Sequence, residues 1–88
     1  VPGPMAPNPS AGEVHIPFAV PREMRVRVTV LDVLGRSVAV LADGVLPAGR
    51  HEVTWSGAKG NGQAPAGIYF VCYTGDGKTS VRRFVIAR

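Results

Sequence analysis

Apolar residues fall on every second position along most of this chain, and that alternation weighs against a helical fold before any other feature is considered. Val14, Ile16, Phe18 and Val20 keep one parity, followed by Val26, Val28 and Val30, then His51, Val53 and Trp55, then Tyr69, Val71 and Tyr73. Successive side chains of an extended strand point to opposite faces, so each run hides one face and wets the other. Turn signals separate the runs at intervals of roughly 8–12 residues, and no stretch repeats at 3.6, which predicts an antiparallel β-sandwich.

Taken in order, the chain opens with Pro2, Pro4, Pro7 and Pro9 among Gly3, Asn8 and Ser10. Each proline lacks an amide donor and fixes its own φ, so residues 1–11 are expected to form an extended arm ahead of a single domain over 12–88. The start at Val1 reads as that of an excised or processed piece. Strands are predicted over Glu13–Val20, Met24–Asp32, Ser37–Ala42, Ala48–Gly57, Gly67–Thr74 and Lys78–Ala87. Pro17 cannot donate a ladder bond and places the first strand at a sheet edge. Gly67–Thr74 is apolar on both parities and reads as a central strand. Asp32 to Arg36 is a corner in which the aspartate bonds its own downstream backbone and Gly35 supplies a positive φ. Asp43-Gly44, Asn61-Gly62 and Gly75-Asp76-Gly77 read as turns. Between the first of these and the Trp55 strand, Val45-Leu46-Pro47 is expected to cross over one end of the core.

Little in the sequence suggests chemistry. A single cysteine, Cys72, cannot form an internal disulfide or a cysteine-pair metal cluster, and it reads as an inert residue on a less buried face. His15 and His51 stand without a ligand set or nucleophile at motif spacing and are expected to be structural. Gly57 to Gly62 lacks the following helix that a phosphate-cradling loop requires, which leaves a long hairpin connection. The six acids lie mostly at turns and strand ends. The net charge of +4 comes largely from arginines scattered over several elements, whereas a nucleic-acid site would gather them around exposed aromatics. No apolar run approaches the ~20 residues of a membrane-spanning helix. Trp55, the only tryptophan, could serve as a sugar-stacking platform, but it shares a face with Val53 and is expected in the core.

These residues also carry a family resemblance. Pro7-Asn8-Pro9, then Ile16-x-Phe18-x-Val20-Pro21, then Val28-x-Val30-x-Asp32-x-x-Gly35-Arg36-x-Val38, then Ala48-Gly49-x-His51-x-Val53-x-Trp55-x-Gly57 and Gly67-Ile68-Tyr69-Phe70 appear in an order that resembles the FlgD Ig-like domain. The same series is similar to the C-terminal sorting domain of type IX secretion cargo. The resemblance implies an all-β, immunoglobulin-like antiparallel β-sandwich of about seven strands. It also implies a non-catalytic role without cofactor or metal, either as a sorting and anchoring module of a larger secreted bacterial protein or as a structural assembly module. Its partners would be secretion or surface-assembly proteins, or further copies met through edge strands or the N-terminal arm, at an extracellular or cell-surface location. The motif positions Asn8, Asp32, Gly35, Arg36, Gly49, His51, Trp55, Gly67 and Tyr69 are expected to be structural. Ser56 stands where the family commonly has an aspartate, which argues against a cation in the following loop.

Overall fold

The structure is a computed structural model that describes residues 13–59 and 62–87. All regular elements among them are strands: β1 (Val14–Val20), β2 (Met24–Leu31), β3 (Ser37–Leu46), β4 (Gly49–Trp55), β5 (Ala58–Lys59), β6 (Gly62–Gln63), β7 (Gly67–Gly75) and β8 (Lys78–Ile86). The count exceeds the expected seven because the segment after Trp55 folds into the small β5–β6 hairpin. Asn8, the proline-rich arm and the Asn61 half of the Asn61-Gly62 turn lie outside the described residues.

All the ladders are antiparallel. β1 pairs with β4, while β3, β2, β7 and β8 form a four-stranded sheet in that order. β7 is therefore internal, and the proline-bearing β1, in a two-stranded sheet, lies at an edge, as the sequence predicts. The two sheets pack face to face: Val14, Ile16, Phe18, Val20 and Trp55 from the smaller one meet Val26, Val28 and Val30 and the inward residues of β7 and β8. Burial of apolar side chains between the layers is the main driving force available to a domain with no disulfide.

Aromatic rings close the two ends of this core. At one end Trp55, Tyr69 and Phe84 touch mutually, with ring centroids 5.6 to 5.9 Å apart. At the other, Phe18 lies against Tyr73 and stacks on His51 at 5.6 and 5.5 Å. The polar tips at the first end are satisfied. Trp55 Nε1–H donates to the Ala58 carbonyl at 3.1 Å, and the Tyr69 hydroxyl donates to the Pro65 carbonyl at 2.7 Å. The second bond resembles the tyrosine corner of immunoglobulin-type sandwiches, in which the hydroxyl ties a strand start to the backbone upstream of it.

β3 departs from expectation. It does not stop at Ala42, because Asp43 and Gly44 pair with Arg27 and Val26, and Val45 and Leu46 continue to Arg25 and Met24. Asp43-Gly44 is thus not a turn and Val45-Leu46 is not a crossing loop. The reason is visible in the register: two shifts against β2 leave Val38 and Leu41 as extra residues on β3. Each bulge turns two consecutive side chains toward the core, so Val38 with Ala39 and Leu41 with Ala42 are half-buried while Val40 points out. This replaces the period of two by a local period of three. Val45 is exposed and covers nothing, whereas Leu46 packs at the core margin. The chain reverses instead at Pro47 and Ala48.

Trp55 is 3 % exposed, so Trp55→Ala should cost about 3–5 kcal/mol and leave little of the domain folded, as urea unfolding would show. Tyr73 gives the opposite expectation. Its buried hydroxyl has no partner among the described residues, and burial, followed by the nearby Asp76 charge, raises its pKa. Tyr73→Phe should therefore stabilise the domain by about 1 kcal/mol near neutral pH. A group with a raised folded pKa supports the fold below its unfolded value and loses that support as pH rises, so the gain should widen above about pH 10.

Candidate functional site

The turn after β2 is the most constrained polar feature of the molecule. The chain reverses over five residues, and the Asp32 carboxylate fills the inside of the turn. Its Oδ1 accepts from the backbone amides of Leu34 and Arg36, each at 2.9 Å, and its Oδ2 accepts from Arg36 Nε at 2.9 Å. The backbone closes the same loop, with Gly35 N–H donating to the Asp32 carbonyl and Asp32 N–H donating to the Arg36 carbonyl, both at 3.0 Å. Gly35 takes φ +79°, a conformation an L side chain rarely adopts, which explains why glycine holds the position. These donors, led by the Arg36 amide, hold the Asp32 carboxyl below the usual carboxylate range despite its burial.

A shallow cleft of about 210 Å³ opens beside this corner, lined by Asp32, Arg36, Lys59 and Tyr69 together with apolar residues of the loops. Gly67 lies in its wall, and Tyr69 connects it to Trp55 underneath. The fold therefore gathers Asp32, Gly35, Arg36, Trp55, Gly67 and Tyr69 at one end of the sandwich. Gly49 and His51 are at the other end, where His51 Nε2 lies 2.8 Å from the Pro47 carbonyl and its ring stacks on Phe18. The motif positions among the described residues thus form two groups rather than one site.

The FlgD Ig-like domain family matches residues 8–78, a span that contains every one of the motif positions. The chain belongs to the FlgD Ig-like domain family. The eight strands and their antiparallel sheets agree with an immunoglobulin-like β-sandwich. The match ends at the start of β8, so the strand that supplies Phe84 to the aromatic triad is placed by the structure and not by the family. No match was found among curated proteins or among solved structures.

Other polar groups of this FlgD Ig-like domain form small surface clusters and pairs. His15, on the outer side of β1, approaches Glu13 and Glu52 at 3.0 and 3.5 Å and Thr54 at 3.1 Å. Arg25 pairs with Asp43 at 3.1 Å, and Arg22 pairs with Asp76 in the β7–β8 turn. No group of three or more metal-ligating side chains occurs among the described residues. Cys72 is half-buried on the outer face of β7.

Sequence reasoning missed two features of this end of the molecule. Phe84, fully buried, completes the triad with Trp55 and Tyr69, although in sequence it is only one of several apolar residues of the last strand. Val33 and Leu34 project from the Asp32 turn with 65 % and 72 % of their surface exposed. Two large apolar residues between a turn aspartate and a turn glycine were the available signal.

The lowered Asp32 pKa gives a signed prediction. A carboxyl whose folded pKa is depressed stabilises the fold above its unfolded value and loses that contribution as pH falls through the folded one. Asp32→Asn should therefore lower the urea midpoint most at neutral pH, and the gap to the wild type should close below about pH 4. A gap that stays constant down to strongly acid pH would show that the carboxylate charge is not what holds the turn.

Proposed function

We propose that this domain is a non-catalytic structural module of a larger extracellular or cell-surface bacterial protein, acting by keeping its shape and presenting surfaces to assembly proteins. One observation carries the reading: the polar atoms of the motif residues are engaged in fixing backbone. Asp32 and Arg36 hold a turn, His51 contacts the Pro47 carbonyl, and Trp55 and Tyr69 tie down loop carbonyls from within the core. Side chains so engaged give a site little freedom to bind and release a reactant, while they make the fold rigid enough to serve as a scaffold.

Assembly by strand addition has a specific candidate in β3. At ten residues it is the longest strand, it pairs only with β2 among the described residues, and Asp43 is its only charge. An edge with so few charges is a template for another strand, although the two bulges restrict the stretch that remains flat to its second half. Sedimentation velocity at rising concentration tests this. Reversible self-association that is abolished by Val45→Lys is the expected result, and a monomer at every concentration would remove pairing between copies.

A second reading, that the domain is a C-terminal sorting and anchoring signal, rests on the resemblance of the ordered motif series to that of type IX secretion cargo. Fusion of residues 7–88 to a passenger in a host with that machinery should deliver the passenger to the cell surface. Retention of a folded fusion inside the cell would reject the reading.

A further inference from the structure

The outer face of the four-stranded sheet is not the polar surface that a sandwich ordinarily turns to water. The registers set Val40, Thr29, Cys72 and Val81 side by side across β3, β2, β7 and β8, and the adjacent row places Leu31 beside Phe70. One row further toward the Asp32 turn comes Ile68, which lines the same cleft as Val33 and Leu34. Five residues of this run, Val33, Leu34, Val40, Ile68 and Val81, are exposed. Thr29 could have wetted the centre of the face, but it is only 8 % exposed and its hydroxyl is turned to the Cys72 carbonyl at 3.5 Å. A continuous apolar surface of this kind on a small domain marks an interaction site rather than ordinary scatter.

The unpaired charges beside the run are of one sign. Arg27 and Arg83 stand exposed on the same face, in the rows facing Thr74 and Phe70, and neither makes an ion pair among the described residues. Lys59 stands at the cleft, beside Arg36, whose guanidinium is paired with Asp32. The face's own carboxylate, Asp43, is occupied by Arg25, and Asp32 is occupied inside its turn.

From this we infer that the outer face of the four-stranded sheet, at its Asp32 end, is a docking surface for a protein partner whose apolar side chains are flanked by carboxylates. The apolar run supplies the desolvated centre and the cations supply the complementary rim. The Asp32 hydrogen bonds hold Val33 and Leu34 in place before the partner arrives, which lowers the ordering cost of binding. A second copy of the chain fits this face poorly. A two-fold pairing would bring the same patch to both sides, with unpaired arginines and no free carboxylate on either. The inference concerns this face alone and is independent of pairing along the β3 edge and of sorting.

The test is an amide chemical-shift titration of the isotope-labelled 88-residue chain. Two extended probe peptides are used, one alternating leucine with glutamate and the other alternating leucine with lysine. The glutamate peptide should shift amides within 31–36, 68–72 and 81–83, and the lysine peptide should shift none. Arg27→Glu combined with Arg83→Glu, and separately Leu34→Ser, should each weaken the glutamate peptide about tenfold, with unchanged Trp55 fluorescence confirming the fold. Equal binding of both peptides, binding of neither, or shifts confined to other residues would overturn the inference. Concentration-dependent shifts of the same amides in the chain alone would overturn it too, by making a second copy the occupant.

Discussion

The contact between Trp55 and the pair Tyr69 and Phe84 is the interaction on which the rest of the structure depends. It joins the last residue of β4 to two strands of the opposite sheet, and no other side chain of the smaller sheet spans the layers with so large an apolar surface. The positions of the surrounding loops follow from it. Trp55 Nε1–H fixes the Ala58 carbonyl and so starts the β5–β6 hairpin. The Tyr69 hydroxyl fixes Pro65, and between them Ala64 is fully buried with its amide bonded to the Gly57 carbonyl. A glycine-rich connection with weak preferences of its own is thus shaped by two aromatic polar tips.

A second constraint is width. Strands lie about 4.8 Å apart, so four of them span nearly twice what the two strands β1 and β4 can cover. Among the described residues, the inner face of β3 is consequently only half-buried, and its bulges turn additional side chains, Val38 and Leu41, toward the core margin. The bulges adapt the edge strand to a narrow cover, and they also interrupt its outer ladder, which limits indiscriminate pairing along the edge.

The same facts explain what could be read in the sequence. β1, β2, β4 and β7 were legible because each keeps a strict period of two across a face that is fully or partly buried. The end of β3 was not legible, since bulges erase the alternation and Asp-Gly looks the same at 43–44 as at 76–77. What separates the two cases is backbone geometry imposed by the partner strands. Asp76 and Gly77 both take positive φ, 54° and 71°, and close a two-residue hairpin, whereas Asp43 and Gly44 face an uninterrupted β2 and stay extended. Local chemistry proposes a turn, and the length of the opposing strand decides it. Asp32 was legible as a turn former because its role is local. The clustering of its turn with Trp55 and Tyr69 was not, because it follows from sheet order.

Charge shows the same division between local and global information. Along the sequence the arginines look scattered, and on that ground they suggest no concentrated surface. The fold collects Arg25, Arg27 and Arg83 on the outer face of the large sheet, while Glu13 and Glu52 lie with His15 and a single arginine, Arg50, on the outer face of the small one. The large sheet's outer face is therefore the more basic of the two, an arrangement that alternation makes possible because every second residue of a strand shares a face with its neighbours. On the large sheet the arginines border aliphatic residues, and one of the three is already neutralised by Asp43. A phosphate backbone would need a denser row of unpaired cations and stacking aromatics exposed between them. Exposed valines, leucine and isoleucine beside sparse arginines instead match the dry centre and charged rim of a protein contact, so the fold turns an unremarkable excess of basic residues into a face with a preferred kind of partner.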